Sequence, residues 1–262
     1  SEGTPVLNLQ PSVAKARSVQ DSKLNLLRSL NAGHKTRHPR ELELDARITN
    51  LELAARMQLA ATDAMDITQE SAETHSLYGL DNTTTASYGK RCLMARRLVE
   101  RGVRYIQILM KGQPWDTHQN NVANTTSCCL QTDQPVGALL SDLQRRGLLD
   151  STLVLWGGEF GRTPGAELRG SDAKRGNEGR DHHPYGFSVW MAGGGIKGGQ
   201  TYGETDDFGY RSVVNRTKMS DYHATILHLL GMDHEELVHH HSGRDERLTD
   251  VYKANVINQL IS

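Results

Sequence analysis

The sequence predicts an α/β fold in which a parallel-rich sheet is flanked by helices. Three observations carry that expectation. The first hundred residues are patterned as amphipathic helices, three short apolar and β-branched runs follow Gly102, and one helix stands between the first two runs. Strand, helix, strand in that order makes a parallel pair with a right-handed crossover. The mainly helical residues 1–102 are then expected to pack on the sheet of residues 103–262, in one continuous domain.

The elements follow in order. "SKLNLLRSLNAGH" sets Leu24, Leu27 and Leu30 at helical spacing and stops at Gly33. After Pro39, "RELELDARITNLELAARMQLAATDAM" puts Leu44, Ile48, Leu51, Ala55 and Leu59 on one stripe of a long amphipathic helix. "TASYGKRCLMARRLVERG" is a third helix, ending at Gly102. Arg and Glu on the outer faces of these helices form a solvated charge pattern.

"VRYIQILM", "TLVLW" and "FSVWMAGGG" are the strand candidates. Between the first two, "DQPVGALLSDLQRRG" carries Val136, Leu139, Leu140 and Leu143 on one side of a helix. "KMSDYHATILHLLGM" is a last helix, and "GAELRGSDAKRGNEG" a polar, glycine-rich loop. Gly193 to Gly195 lack the G-x-x-x-x-G-K-[ST] pattern of a phosphate cradle and fit a strand-ending turn.

Composition narrows the function classes. The 262 residues include 30 basic and 31 acidic ones, a formal charge of −1, without the basic excess of a nucleic-acid binder. No apolar run is long enough to span a bilayer. Cys92, Cys128 and Cys129 form neither a disulfide framework nor a C-x-x-C metal pattern.

Acidic and imidazole side chains gather near the strand ends. Asp116 and His118 follow the first strand candidate, and as an i, i+2 pair in extended chain they point to one side. Glu159 follows the second, and Asp181, His182 and His183 precede the third. Ligands of open α/β sheets bind outside the carboxyl ends of strands, where Asp116, His118 and Glu159 fall. Carboxylate with imidazole suits zinc or manganese better than calcium. Arg162 and Lys197 are candidates to hold an oxyanion. Each cluster is equally compatible with a polar surface loop, and the histidines of "HEELVHHHSG" fit a plain surface segment.

Several ordered stretches add a resemblance. "ELDARITNLELAARMQ", "CLMARRLVERGVRYIQI", "WDTHQNN", "LLDSTLVLWGGEFGRTP", "GRDHHPYGF", "AGGGIKGGQTYGETDDFGY", "HATILHLLGMDH" and "GRDERLTDV" resemble the domain of unknown function 1501 family. That group is similar to the sulfatases and alkaline phosphatases, so the resemblance implies their fold, with its N-terminal part missing here. It implies a metal-dependent hydrolase of phosphate or sulfate esters. Asp116, His118, Glu159, Asp181 and His182 would serve the metals, with His183 the rival of His182. Arg162, His183 and Lys197 would face a small anionic ester.

Two departures stand out. Glu159-Phe160 occupies the place of an Asp-His pair, and Ala224 stands where a proline is usual in sulfatases. A Gly-Gly-x-Ser-x-x-Asp stretch, which would supply a metal-binding Asp and the nucleophile, has no counterpart, so the chain is expected to be an inactive C-terminal portion of its parent. The resemblance further implies export, because such proteins often carry twin-arginine signals. The alternatives are a non-catalytic binding or surface protein with a vestigial site, and a structural metal with a closed shell of four ligands.

Overall fold

The computed structural model describes residues 17–38, 46–53, 64–168 and 174–262. The chain divides into two compact units, residues 1–70 and 71–262. In the first, helix α1 (Arg17–Arg37) runs through Gly33 instead of stopping there. A helical glycine costs only about 1 kcal/mol relative to alanine. His34, Lys35 and Arg37 in the last turn offset part of that against the helix dipole. The helical stretch 46–53 (α2) is tied to α1 by Arg28 Nε to Glu52 at 3.0 Å. Leu27, Leu30 and Leu51 are exposed, contrary to the expected buried stripe. Leu44, Ala55 and Leu59 lie outside the described residues.

The second unit is built on two helices. Helix α3 (Ala72–Leu77) is capped by Ser71, whose hydroxyl accepts from the Thr74 N–H. Helix α4 (Ala86–Glu100) packs on α5 (Asn121–Arg145). Gly89 lets α4 press against α3's end: a Cβ there would overlap the Tyr78 carbonyl. Helix α5 starts at Asn121, well before the expected start near Asp133. Its first half is rich in Asn, Thr, Ser and Cys, which are weak helix formers. Packing overrides that propensity, since buried Cys128, Thr132, Pro135, Leu139, Asp142 and Leu143 continue one helical face. Pro135 brings no N–H to the interior of this helix.

The strands depart most from expectation. Residues 105–110 alternate as a strand would, with Ile106, Ile108 and Met110 half-buried and Tyr105, Gln107 and Leu109 exposed, while Val103 and Arg104 are both exposed. Yet they join no sheet among the described residues. Strand β1 (Val154–Trp156) therefore lacks the parallel partner that the pattern predicted, and pairs antiparallel with β4 (Trp190–Ala192). Strands β2 (Gly161–Arg162) and β3 (His182–His183), β5 (Glu204–Thr205) and β6 (Ser212–Val214), and β7 (His239–His241) and β8 (Arg244–Glu246) make three further antiparallel pairs. The fold is a mixed α/β arrangement of helices and small antiparallel sheets, and no parallel pair occurs among the described residues.

Smaller features match their sequence signals. Gly193, Gly194 and Gly195 all have positive φ and turn the chain after β4, where side chains on the first two would strike Leu149, Thr152 and Leu153. Helix α6 (Met219–Leu229) buries Ala224 fully, and its Asp221 accepts from the Lys218 and Asn255 N–H groups. Ser242 and Gly243, both left-handed, close the exposed histidine hairpin β7–β8. No helix among the described residues is long and apolar enough to cross a membrane.

Candidate metal centre

The "WDTHQNN" and "GRDHHPYGF" stretches meet through their backbones. The Arg180 N–H donates to the Thr117 carbonyl at 2.9 Å, Asn120 to Asn177 at 3.2 Å and Asn121 to Glu178 at 2.9 Å. Gly179 makes that approach possible, because a Cβ there would overlap the His118 carbonyl. Thr117 is buried and its hydroxyl donates to Asn121 Oδ1 at 2.6 Å, pinning the turn to the start of α5.

A short ladder brings in the loop after β1. Arg162 faces His182 across the β2–β3 pair, and the Thr163 N–H donates to the Asp181 carbonyl at 2.9 Å. Successive strand residues point to opposite faces. His182 thus turns to the cluster, while His183 is buried on the other side with Nε2 2.7 Å from the Tyr210 carbonyl. This alternation separates the two histidines, which the sequence left as rivals.

One carboxylate oxygen is the focus. Asp116 Oδ1 lies 2.5 Å from Arg162 Nη2, 3.0 Å from His182 Nε2 and 3.2 Å from His118 Nε2. The two imidazole nitrogens are 3.2 Å apart. Hydrogen bonds from Arg162, then from His182, hold the Asp116 carboxyl down at about 2, below the usual carboxylate range. Asp116 is therefore an anion at neutral pH, and one ligand atom from each of Asp116, His118 and His182 falls within 4.8 Å of the others. One carboxylate and two imidazoles suit a borderline divalent ion such as zinc or manganese, so the donor set fits the expected metal.

A second group adjoins the first through His118. Its Nδ1 lies 3.5 Å from Glu167 Oε2 and 3.8 Å from Asp181 Oδ1. Asp181 also accepts the His182 backbone N–H at 2.8 Å. The remaining sequence candidates stand apart. Glu159 is exposed and belongs to neither group. Lys197 is exposed in the turn after β4, where its backbone N–H donates to the Leu260 carbonyl.

Two site residues escaped the sequence analysis as contributors. Phe160, noted there only as a departure, packs against the His182 ring at a tilt of 36° with centroids 4.3 Å apart. Glu167 carried no motif at all: it lies in a polar loop and reaches His118 only through the fold.

No curated protein and no solved structure matches this chain. The profile of the family described as "protein of unknown function (DUF1501)" matches residues 1–261. The chain belongs to that family.

Proposed function

We propose that this chain carries the metal-holding part of a metal-dependent hydrolase of phosphate or sulfate esters, akin to the sulfatases and alkaline phosphatases. The observation that supports this is the convergence of Asp116, His118 and His182 from two distant loops, with Arg162 at the same carboxylate oxygen. A zinc or manganese ion there would supply Lewis acidity and a bound water of lowered pKa. Asp116 offsets the cation's charge, and the two imidazoles give neutral donors. Arg162 sits where a planar fork can turn from Asp116 to the oxygens of an anionic ester. Three donors among the described residues would leave coordination positions open, as in catalytic rather than closed structural zinc sites. The parallel-rich sheet of that superfamily and an exported location belong to the same proposal.

One observation favours a second reading, a non-catalytic binding protein. Phe160 takes the position of an expected histidine and packs against His182, leaving Glu159 in solvent. The test is hydrolysis of p-nitrophenyl phosphate and p-nitrophenyl sulfate by the longest natural form of the protein, supplied with zinc or manganese. Turnover that His182→Ala abolishes is the expected result. A folded, metal-loaded sample without turnover on either ester would sink the hydrolase reading and leave the binding one.

A further inference from the structure

The two nitrogens of His118 face different company. Nε2 looks into the Asp116 and His182 cluster, while Nδ1 looks at Glu167 and Asp181. A neutral imidazole carries one N–H and one lone pair, and only the lone pair binds a cation. The side that receives the proton therefore decides whether His118 can be a ligand. Two carboxylates face Nδ1. The carboxylate facing Nε2 is Asp116, whose Oδ1 already accepts from Arg162 and lies against His182.

We propose that Glu167 is a positioning residue that draws the His118 proton to Nδ1 and so points the Nε2 lone pair into the metal cluster. The inference rests on the metal reading above. Glu167 is well placed for the task. Its backbone forms an antiparallel bridge with Gly179, with both hydrogen bonds 2.8 Å long. Gly179 in turn sits against the His118 carbonyl. Glu167 and His118, 49 positions apart in sequence, thus share one backbone support. Asp181 is the lesser partner: it is farther from Nδ1, more exposed, and engaged with the His182 N–H. Carboxylates that accept the outer N–H of a metal-bound histidine fix its tautomer and orientation in this way.

Two substitutions separate the role from a merely structural one. Glu167→Met keeps the length of the side chain and the backbone bridge but removes the acceptor, whereas Glu167→Gln restores an acceptor oxygen. The readouts are the ¹⁵N spectrum of the His118 ring in metal-free protein, zinc affinity by competition with a chromophoric chelator, and zinc equivalents per chain. The expected wild-type ring is the Nδ1–H tautomer. Glu167→Met moves it toward Nε2–H and weakens zinc about 10- to 100-fold at unchanged stoichiometry, and Glu167→Gln recovers most of both. Wild-type tautomer and affinity in Glu167→Met would overturn the proposal. Loss of a whole zinc equivalent would overturn it too, by making Glu167 a ligand of a second ion. A wild-type chain that takes up no zinc refutes the metal reading, while the metal-free tautomer comparison still decides the role of Glu167.

Discussion

Two charged clusters in the second unit are built from the same residue types and do opposite things. Between α4 and α5, Asp142 accepts from Arg146 Nε at 2.9 Å on one oxygen, and meets the Tyr78 hydroxyl at 3.0 Å and Arg96 Nε at 3.1 Å on the other. Glu100 completes the network, 2.7 Å from both Arg96 and Arg146. Both oxygens of each carboxylate are engaged, and the Arg96 and Asp142 side chains are only 2% and 7% exposed. The cluster at Asp116 crowds three cationic or imidazole groups onto a single oxygen and leaves side chains of 22–45% exposure around it. A network centred on the buried Arg96–Asp142 pair fixes two helices, whereas an open, convergent one can exchange a partner for a ligand.

Substitutions can break that contrast, beginning with the largest effect. Asp142→Ala takes the shared carboxylate from the buried Arg96 guanidinium and the Tyr78 hydroxyl and should cost about 3–5 kcal/mol in urea denaturation. A loss below about 1 kcal/mol would mean that the Arg96–Asp142 pair does not hold the two helices. Gly179→Ala forces the two loops apart, with an expected cost of about 1–3 kcal/mol and a fall in metal affinity. Unchanged affinity in that variant would separate the site from its backbone zipper. Asp116→Ala should stay within about 1 kcal/mol of wild-type stability, because its ion pairs are solvated, while abolishing metal binding.

The smallest effect is on titration. The folded pKa of Asp116 lies below its ordinary value, so its ion pairs stabilise the fold fully above about pH 4 and lose that contribution as the pH falls toward 2. Arg162→Ala removes the leading cause, and the Asp116 carboxyl, followed by ¹³C chemical shift, should then titrate at higher pH. An unmoved midpoint would show that Arg162 does not hold the carboxylate in solution.

The two clusters also differ in how far the sequence exposed them. Asp116, His118 and His182 were legible because two Asp/His motifs flank apolar runs, and a strand's alternation then selects His182 over His183. Glu167 and Phe160 were not legible as partners, since loop closure and not periodicity brings them to the histidines. The helices α4 and α6 followed their apolar spacing. Helix α5 exceeded its own, because Cys128 and Thr132, in a first half poor in large apolar residues, are buried only by the tertiary fold. Strand direction was beyond the pattern. The run 105–110 has a strand's alternation, but alternation says nothing of which neighbour supplies the hydrogen bonds.

The central claim is that two loops converge to hold a metal, and metal content tests it most directly. The purified chain, supplied with zinc or manganese and then dialysed, is analysed by elemental composition beside the His118→Ala, His182→Ala double variant. The account predicts a stoichiometric divalent ion in the wild type and none in the variant, with both proteins folded. A folded wild-type chain that retains no metal, or a double variant that retains as much, would contradict it.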